Sequence, residues 1–206
     1  METLEMLQNE EEILDKFNTS ISHGIYVSNL AYFLGTAIGL DESACHELAI
    51  AGLLHDIGKI KASRLLYVEQ EDHNLVVKQM NYLRTHPFLG FEILKREGYS
   101  EFIQESILFH HENFDGSGYP SNLSGDTIPI GARVLRICDV FAALTTRKGY
   151  RPAHDADSAL DFMISDVKNF DMKVFLAFQR VAFSDGVMET VMEKGNLDEL
   201  FEEEQE

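Results

Sequence analysis

At 206 residues, with 45% hydrophobic and 25% charged side chains, the chain has the composition of a globular protein with room for one full core. Its 35 acidic residues against 17 basic ones leave a net charge of −18, which excludes the broad basic face that nucleic-acid polymers or anionic membranes require. Metal ions are the natural partners of such a surface, and small anions are admitted only where local positive charge outweighs the general field. No apolar run reaches the roughly 18 residues of a membrane span. The start Met1-Glu2-Thr3-Leu4-Glu5 lacks the basic and apolar regions of a signal peptide. Cys45 and Cys138 stand singly in helical patterns, so they read as buried reduced thiols and the location as cytoplasmic.

In chain order, Leu4, Leu7, Ile13, Leu14 and Phe17 recur between glutamates, which predicts an acidic amphipathic helix over residues 4–17. A second helix is predicted from Ile21 to Leu34, with His23 near its start. After Gly39, Asp41 is placed to cap a third helix over 42–54. This one runs Leu48-Ala49-Ile50-Ala51-Gly52-Leu53-Leu54 into His55-Asp56-Ile57-Gly58-Lys59, apolar on nearly every side as a central helix should be. Residues 60–74 read as a connection or lid, and a helix follows at about 75–85. Pro87 starts another that Gly98 stops, and Ser100 caps the helix that ends at His110-His111. Residues 112–128 are loop by their Gly, Ser, Asn and Pro content. Pro129 opens a long helix, Ile130–Leu144, and shorter helices are expected at 158–165, 172–182 and 186–193. The acidic run Asp198–Glu206 is an expected frayed tail. No strand alternation stands out, and the predicted fold class is all-α.

The chemistry sits in His23, His55-Asp56, His86, His110-His111 and Asp139. Each has an ordinary reading by itself: a hydrogen-bonded core histidine, a helix cap, a local ion pair. Asp139, between Ile137-Cys138 and Val140-Phe141, is harder to place, because a buried carboxylate needs a cation or several donors. One metal cluster would account for all of them. Two divalent ions held by imidazoles and two carboxylates would keep residual positive charge suited to a phosphoester. An imidazole-rich set suits iron, manganese or zinc better than magnesium. Metal-assisted phosphoester hydrolysis is the reaction class these ligands suggest.

The ordered set resembles the HD-GYP family, a branch of the HD phosphohydrolase superfamily, from about His23 to Val181. It includes Leu53-Leu54-His55-Asp56-Ile57-Gly58-Lys59-Ile60, His86-Pro87 with Gly90, and His110-His111-Glu112 with Asp115-Gly116-Ser117-Gly118-Tyr119-Pro120. Ile128-Pro129, Ala132-Arg133, Asp139-Val140-Phe141-Ala142-Ala143-Leu144-Thr145 and Tyr150-Arg151 follow. The resemblance implies an HD-domain helical bundle with a dinuclear metal centre in its core. It divides the chain into an acidic helix at 1–20, the HD-GYP domain at 21–195 and an acidic tail at 196–206. The implied activity is hydrolysis of cyclic di-GMP to linear dinucleotide or GMP by in-line attack of a metal-bridging hydroxide. His23, His55 and Asp139 would hold one metal, and His86, His110 and His111 the other, with Asp56 bridging. Iron or manganese is the expected pair, with zinc as a further option. Lys59 would assist catalysis and, with Arg151, contact substrate.

The Gly118-Tyr119-Pro120 loop is expected to support the site and to offer a surface to cyclases or other signalling proteins; a homodimer is compatible with the pattern. Thr19 stands where a third-metal glutamate would be, so two metals are expected. Ala142 replaces a common acid, Thr146-Arg147-Lys148-Gly149 departs from the usual Arg-Pro form, and residues 61–74 lack the usual Pro-containing lid. The alternatives are a module with little turnover that signals through metal, nucleotide and protein binding, and a phosphohydrolase for another cyclic dinucleotide. Di-iron oxygenase chemistry on a related scaffold is a minor option. With about twenty residues before His23, the expectation is a stand-alone or partner-regulated enzyme.

Overall fold

A computed structural model describes residues 2–62, 83–146 and 153–184, with side chains from Asn18 onward. All regular structure among the described residues is helical. The elements are α1 (Glu2–Ala37), α2 (Glu42–Leu54), α3 (His86–Arg96), α4 (Glu101–Leu108), α5 (Ile130–Thr145), α6 (Ala156–Ser165) and α7 (Met172–Ala182). Short 3-10 turns occur at Gly125–Thr127 and Val167–Asn169. Among the described residues no helix is long and apolar enough to cross a membrane.

The local signals behave as their chemistry requires. Asp41 accepts from the Ala44 N–H at 2.8 Å and Ser100 from the Ile103 N–H at 3.3 Å, which satisfies donors that a helix start leaves open. Pro87 occupies the first turn of α3, where its missing N–H costs nothing.

Two expectations are corrected. Residues 4–17 and 21–34 are not separate helices: α1 is one continuous helix from Glu2 to Ala37. Asn18-Thr19-Ser20 are only weak helix formers, and without Gly or Pro nothing between the two apolar patterns forces a break. Nor is α2 the central helix. It buries Cys45, Leu48, Ala51 and Gly52, while Ile50 and Leu53 are 40% and 45% exposed. The centre is α5, which contacts α1, α2, α4, α6 and α7 and buries Val134, Leu135, Ile137, Cys138, Phe141 and Ala142. Around it pack Leu30 and Leu34 of α1, Ile107 of α4, Met163 of α6 and Phe175 and Phe178 of α7. Both cysteines are buried and unpaired. Most of the predicted helix at 75–85, nearly all of the lid, the helix at 186–193 and the acidic tail lie outside the described residues.

Close backbone approach brings the elements of the site together. A Cβ on Gly24 of α1 would lie 2.7 Å from the Leu53 carbonyl oxygen, and one on Gly52 of α2 would lie 2.8 Å from Ser28 Cα. The two helices therefore meet at their glycines, with His23 and His55 each a short step away in sequence. Gly58 does the same for α3: a Cβ there would sit 2.0 Å from the His86 carbonyl oxygen.

Candidate metal centre

Three histidines are oriented by one repeated device. The Nδ1–H of His55 donates to the Gly52 carbonyl at 2.7 Å, that of His86 to Leu83 at 2.5 Å, and that of His110 to Ile107 at 2.6 Å. Each acceptor lies three residues upstream. A carbonyl can only accept, so Nδ1 carries a proton, and each ring in its neutral form presents the Nε2 lone pair. A second hydrogen bond that fixes the tautomer and raises donor strength is what metal-ligating imidazoles ordinarily have.

The freed Nε2 atoms converge. His23, His55 and Asp139 offer ligand atoms within 4.8 Å of one another, and so do His86, His110 and His111. In the first group Asp139 Oδ1 lies 3.1 Å from His23 Nε2 and 3.6 Å from His55 Nε2. In the second, His86 Nε2 and His110 Nε2 stand 3.3 Å apart. With both Nδ1 atoms already donating, neither neutral ring has a proton for the other, and an electrophile between them resolves the contact. Asp56 joins the groups: Oδ1 is 3.3 Å from His86 Nε2 and Oδ2 is 3.5 Å from His55 Nε2. All seven expected ligands are thus brought together.

The electrostatics favour positive charge inside this cluster. Burial opposes protonation of His55, yet Asp56 and then Asp139 outweigh it and lift its pKa to about 9. Burial likewise opposes ionisation of Asp56, but His55, His86 and Lys59 hold its carboxyl well below the usual range. Asp139 is kept low against the same cost by His23 and His55. Burial, assisted by the neighbouring imidazoles, keeps His110 neutral, and burial first of all takes His111 down to about 3. One group attracts cationic charge while the other offers neutral donors. His55 Nε2 is buried and, among the described residues, has no hydrogen-bond partner. An orphaned imidazole nitrogen facing two carboxylates fits a divalent cation.

Around the cluster lie Tyr119 and Glu112, both within the quoted motifs, and Arg84 and Arg136, which the motifs did not single out. The Tyr119 ring stacks on His111 at 4.8 Å between centroids, and the Arg84 guanidinium lies 5.1 Å over Tyr119. Burial pushes the Tyr119 phenol up to about 12, with Arg136 and Arg84 opposing. Arg136 sits on α5 one turn before Asp139 and donates from Nε to Asn113 Oδ1 at 3.0 Å. Its i,i+3 spacing to Asp139 was the available signal. Buried Glu112 accepts from the Ser121 N–H at 2.6 Å, tying down the loop that carries Tyr119. Lys59 Nζ is on Asp56 Oδ2 at 2.5 Å. Arg151 lies outside the described residues. Ala142 is fully buried in the core.

The HD domain family model matches residues 3–174. The chain belongs to the HD domain family. The cyclic di-GMP phosphodiesterase response regulator RpfG of Xanthomonas campestris pv. campestris is 35% identical over 66% of this chain and 36% of its own length. The 3'3'-cGAMP-specific phosphodiesterase 2 of Vibrio cholerae is 32% identical over 73% of this chain and 30% of its own. The chain thus spans about a third of the length of these relatives. Among solved structures, Bd1817, an HDG"Y"P protein from Bdellovibrio bacteriovorus, superposes with a TM-score of 0.63 at 19% identity, covering 81% of this chain and 53% of that one. The HD fold and the HD-GYP resemblance of the motifs agree with these findings.

Proposed function

We infer that the chain is a metal-dependent phosphodiesterase for cyclic dinucleotides, with cyclic di-GMP as the first substrate to test. The observation that carries this reading is the paired ligand cluster joined through Asp56, in a chain whose relatives are named for that chemistry. His23, His55 and Asp139 would hold one divalent ion, and His86, His110 and His111 a second. Asp56 has one carboxylate oxygen toward each. Iron or manganese suits this imidazole-rich set, with zinc next. Such ions supply Lewis acidity that makes water nucleophilic near neutral pH and offsets charge on a phosphodiester.

The chain's own residues do the rest. The carbonyls of Gly52, Leu83 and Ile107 hold three imidazoles in the donor tautomer. Asp56 and Asp139, ionised at neutral pH, fix positive charge beneath the substrate. Lys59 is paired with Asp56, and its ammonium would be available to a substrate phosphate were that carboxylate to hold a metal. Arg84 and Arg136 add local positive charge at the mouth of a chain whose net charge is −18. The likeness to a 3'3'-cGAMP-specific enzyme supports a second reading, in which the preferred dinucleotide is mixed.

The test is anaerobic purification with metal analysis, then hydrolysis time courses on cyclic di-GMP and 3'3'-cGAMP, with Asp56→Ala as control. The expected result is about two iron or manganese ions per chain, and turnover lost in the variant. Bound metal without turnover of either substrate would instead support a signalling module.

A further inference from the structure

A cyclic dinucleotide brings two phosphates, while the ligand cluster addresses only the one that is cleaved. Arg136 and Asp139 share a face of α5, because residues three apart on a helix are neighbours. The Arg136 Nε–H is held by Asn113 at 3.0 Å, and the Asn113 amide is itself held by its own Nδ2–H donating to Ser117 Oγ at 2.9 Å. Those two bonds set the plane of the guanidinium. Its terminal nitrogens have no hydrogen-bond or ion-pair partner among the described residues. Arg133, one turn back, differs: its Nη1 is shared by Asp126 at 2.8 Å and Asp171 at 2.7 Å. Arg136 is half-buried and lies within the electrostatic reach of His111, Tyr119 and Asp139. A guanidinium fixed by its Nε with its outer fork uncommitted is shaped for two parallel bonds to a phosphate.

We propose that Arg136 binds the phosphate that is not cleaved and so selects a cyclic dinucleotide over a simple phosphodiester. This rests on the phosphodiesterase reading above. The contact orients the ring: with one phosphate on Arg136, the other is presented to the metal ligands. Asn113 is a positioning residue that acts through the guanidinium.

The test uses the metal-loaded full chain as wild type, Arg136→Met and Arg136→Lys. Steady-state kinetics are measured on cyclic di-GMP, on 3'3'-cGAMP and on bis(p-nitrophenyl) phosphate, which carries one phosphate only. Metal content and melting temperature are read in parallel. Arg136→Met is expected to raise KM for the cleaved dinucleotide on the order of tenfold or more, with kcat little changed. Its hydrolysis of bis(p-nitrophenyl) phosphate should fall far less than its hydrolysis of the dinucleotide, its metal content should match wild type, and Arg136→Lys should recover most of the affinity. An unchanged KM in Arg136→Met, with wild type cleaving the dinucleotide, overturns the assignment and leaves the phosphodiesterase reading standing. Equal losses on all substrates together with lost metal make Arg136 a structural residue and also overturn it. A wild type that cleaves neither dinucleotide refutes both readings.

Discussion

Asp56 and Glu112 are carboxylates with opposite duties. Asp56 faces both ligand groups, so its removal should empty both, whereas loss of His23 should weaken one group more than the other. Glu112 holds backbone instead: Oε1 takes the Ser121 N–H, and Oε2 is buried with no hydrogen-bond partner among the described residues. Glu112→Ala removes a buried side chain and the acceptor of the part-buried Ser121 N–H bond, and we expect a loss of about 1–3 kcal/mol in denaturant unfolding. Activity should fall further than stability explains, because the loop presses Tyr119 onto His111. Unfolding midpoints and kcat/KM on one preparation check this. The side chains that cluster here were legible in sequence, since an aspartate among apolar residues and paired histidines each demand a partner. Arg136 was not: one arginine on a helix reads as a surface ion pair until its neighbour Asn113, from another segment, is known.

At the scale of elements, glycine contact decides how the two ligand groups meet. Gly58→Ala would push the HD turn off α3 at the His86 carbonyl, parting Asp56 from His86. We expect about 1–3 kcal/mol of destabilisation from the overpacking. Metal content should drop toward one ion per chain, which elemental analysis would reveal. A helix cap provides a pH-dependent test away from the site. Asp155 caps α6, and the Ser158 backbone N–H with its hydroxyl holds the carboxyl below its ordinary 3.8. A carboxyl lowered in the folded chain contributes stability above that value and loses it as the pH falls through the folded pKa. Asp155→Ala should therefore be less stable than its parent at neutral pH, the gap closing below pH 3.8 in a melting-temperature series. Caps were readable beforehand because they need only local chemistry. The continuity of α1 and the centrality of α5 were not, because helix packing is settled by residues far apart in the chain.

For the whole molecule, α1, α2, α3, α4, α5 and their connections all feed one cluster, so ion binding should brace the fold. An ion at a hundred times its dissociation constant adds about 2.7 kcal/mol. For a chain of this length that is roughly 5–10 °C in melting temperature per site. Chelator-treated protein should melt lower by at least that much, and restored manganese or iron should recover it; an unchanged melting point would refute a metal centre coupled to the fold. The acidic surface adds a condition. Positive charge near the mouth attracts the substrate while the general field repels it, so moderate salt should cost less in kcat/KM than the local cations alone would suggest.

The anchoring of three imidazoles by main-chain carbonyls bears on how this centre tolerates mutation. Supporting contacts made by side chains can be erased by one codon change; those made by the carbonyls of Gly52, Leu83 and Ile107 cannot. Drift around the site can alter substrate preference and rate while the donors keep their aim. Changes that bend the backbone just upstream of each histidine are the exception, and a random-mutagenesis screen for metal loss should recover them there, clustered within one helical turn of His55, His86 and His110.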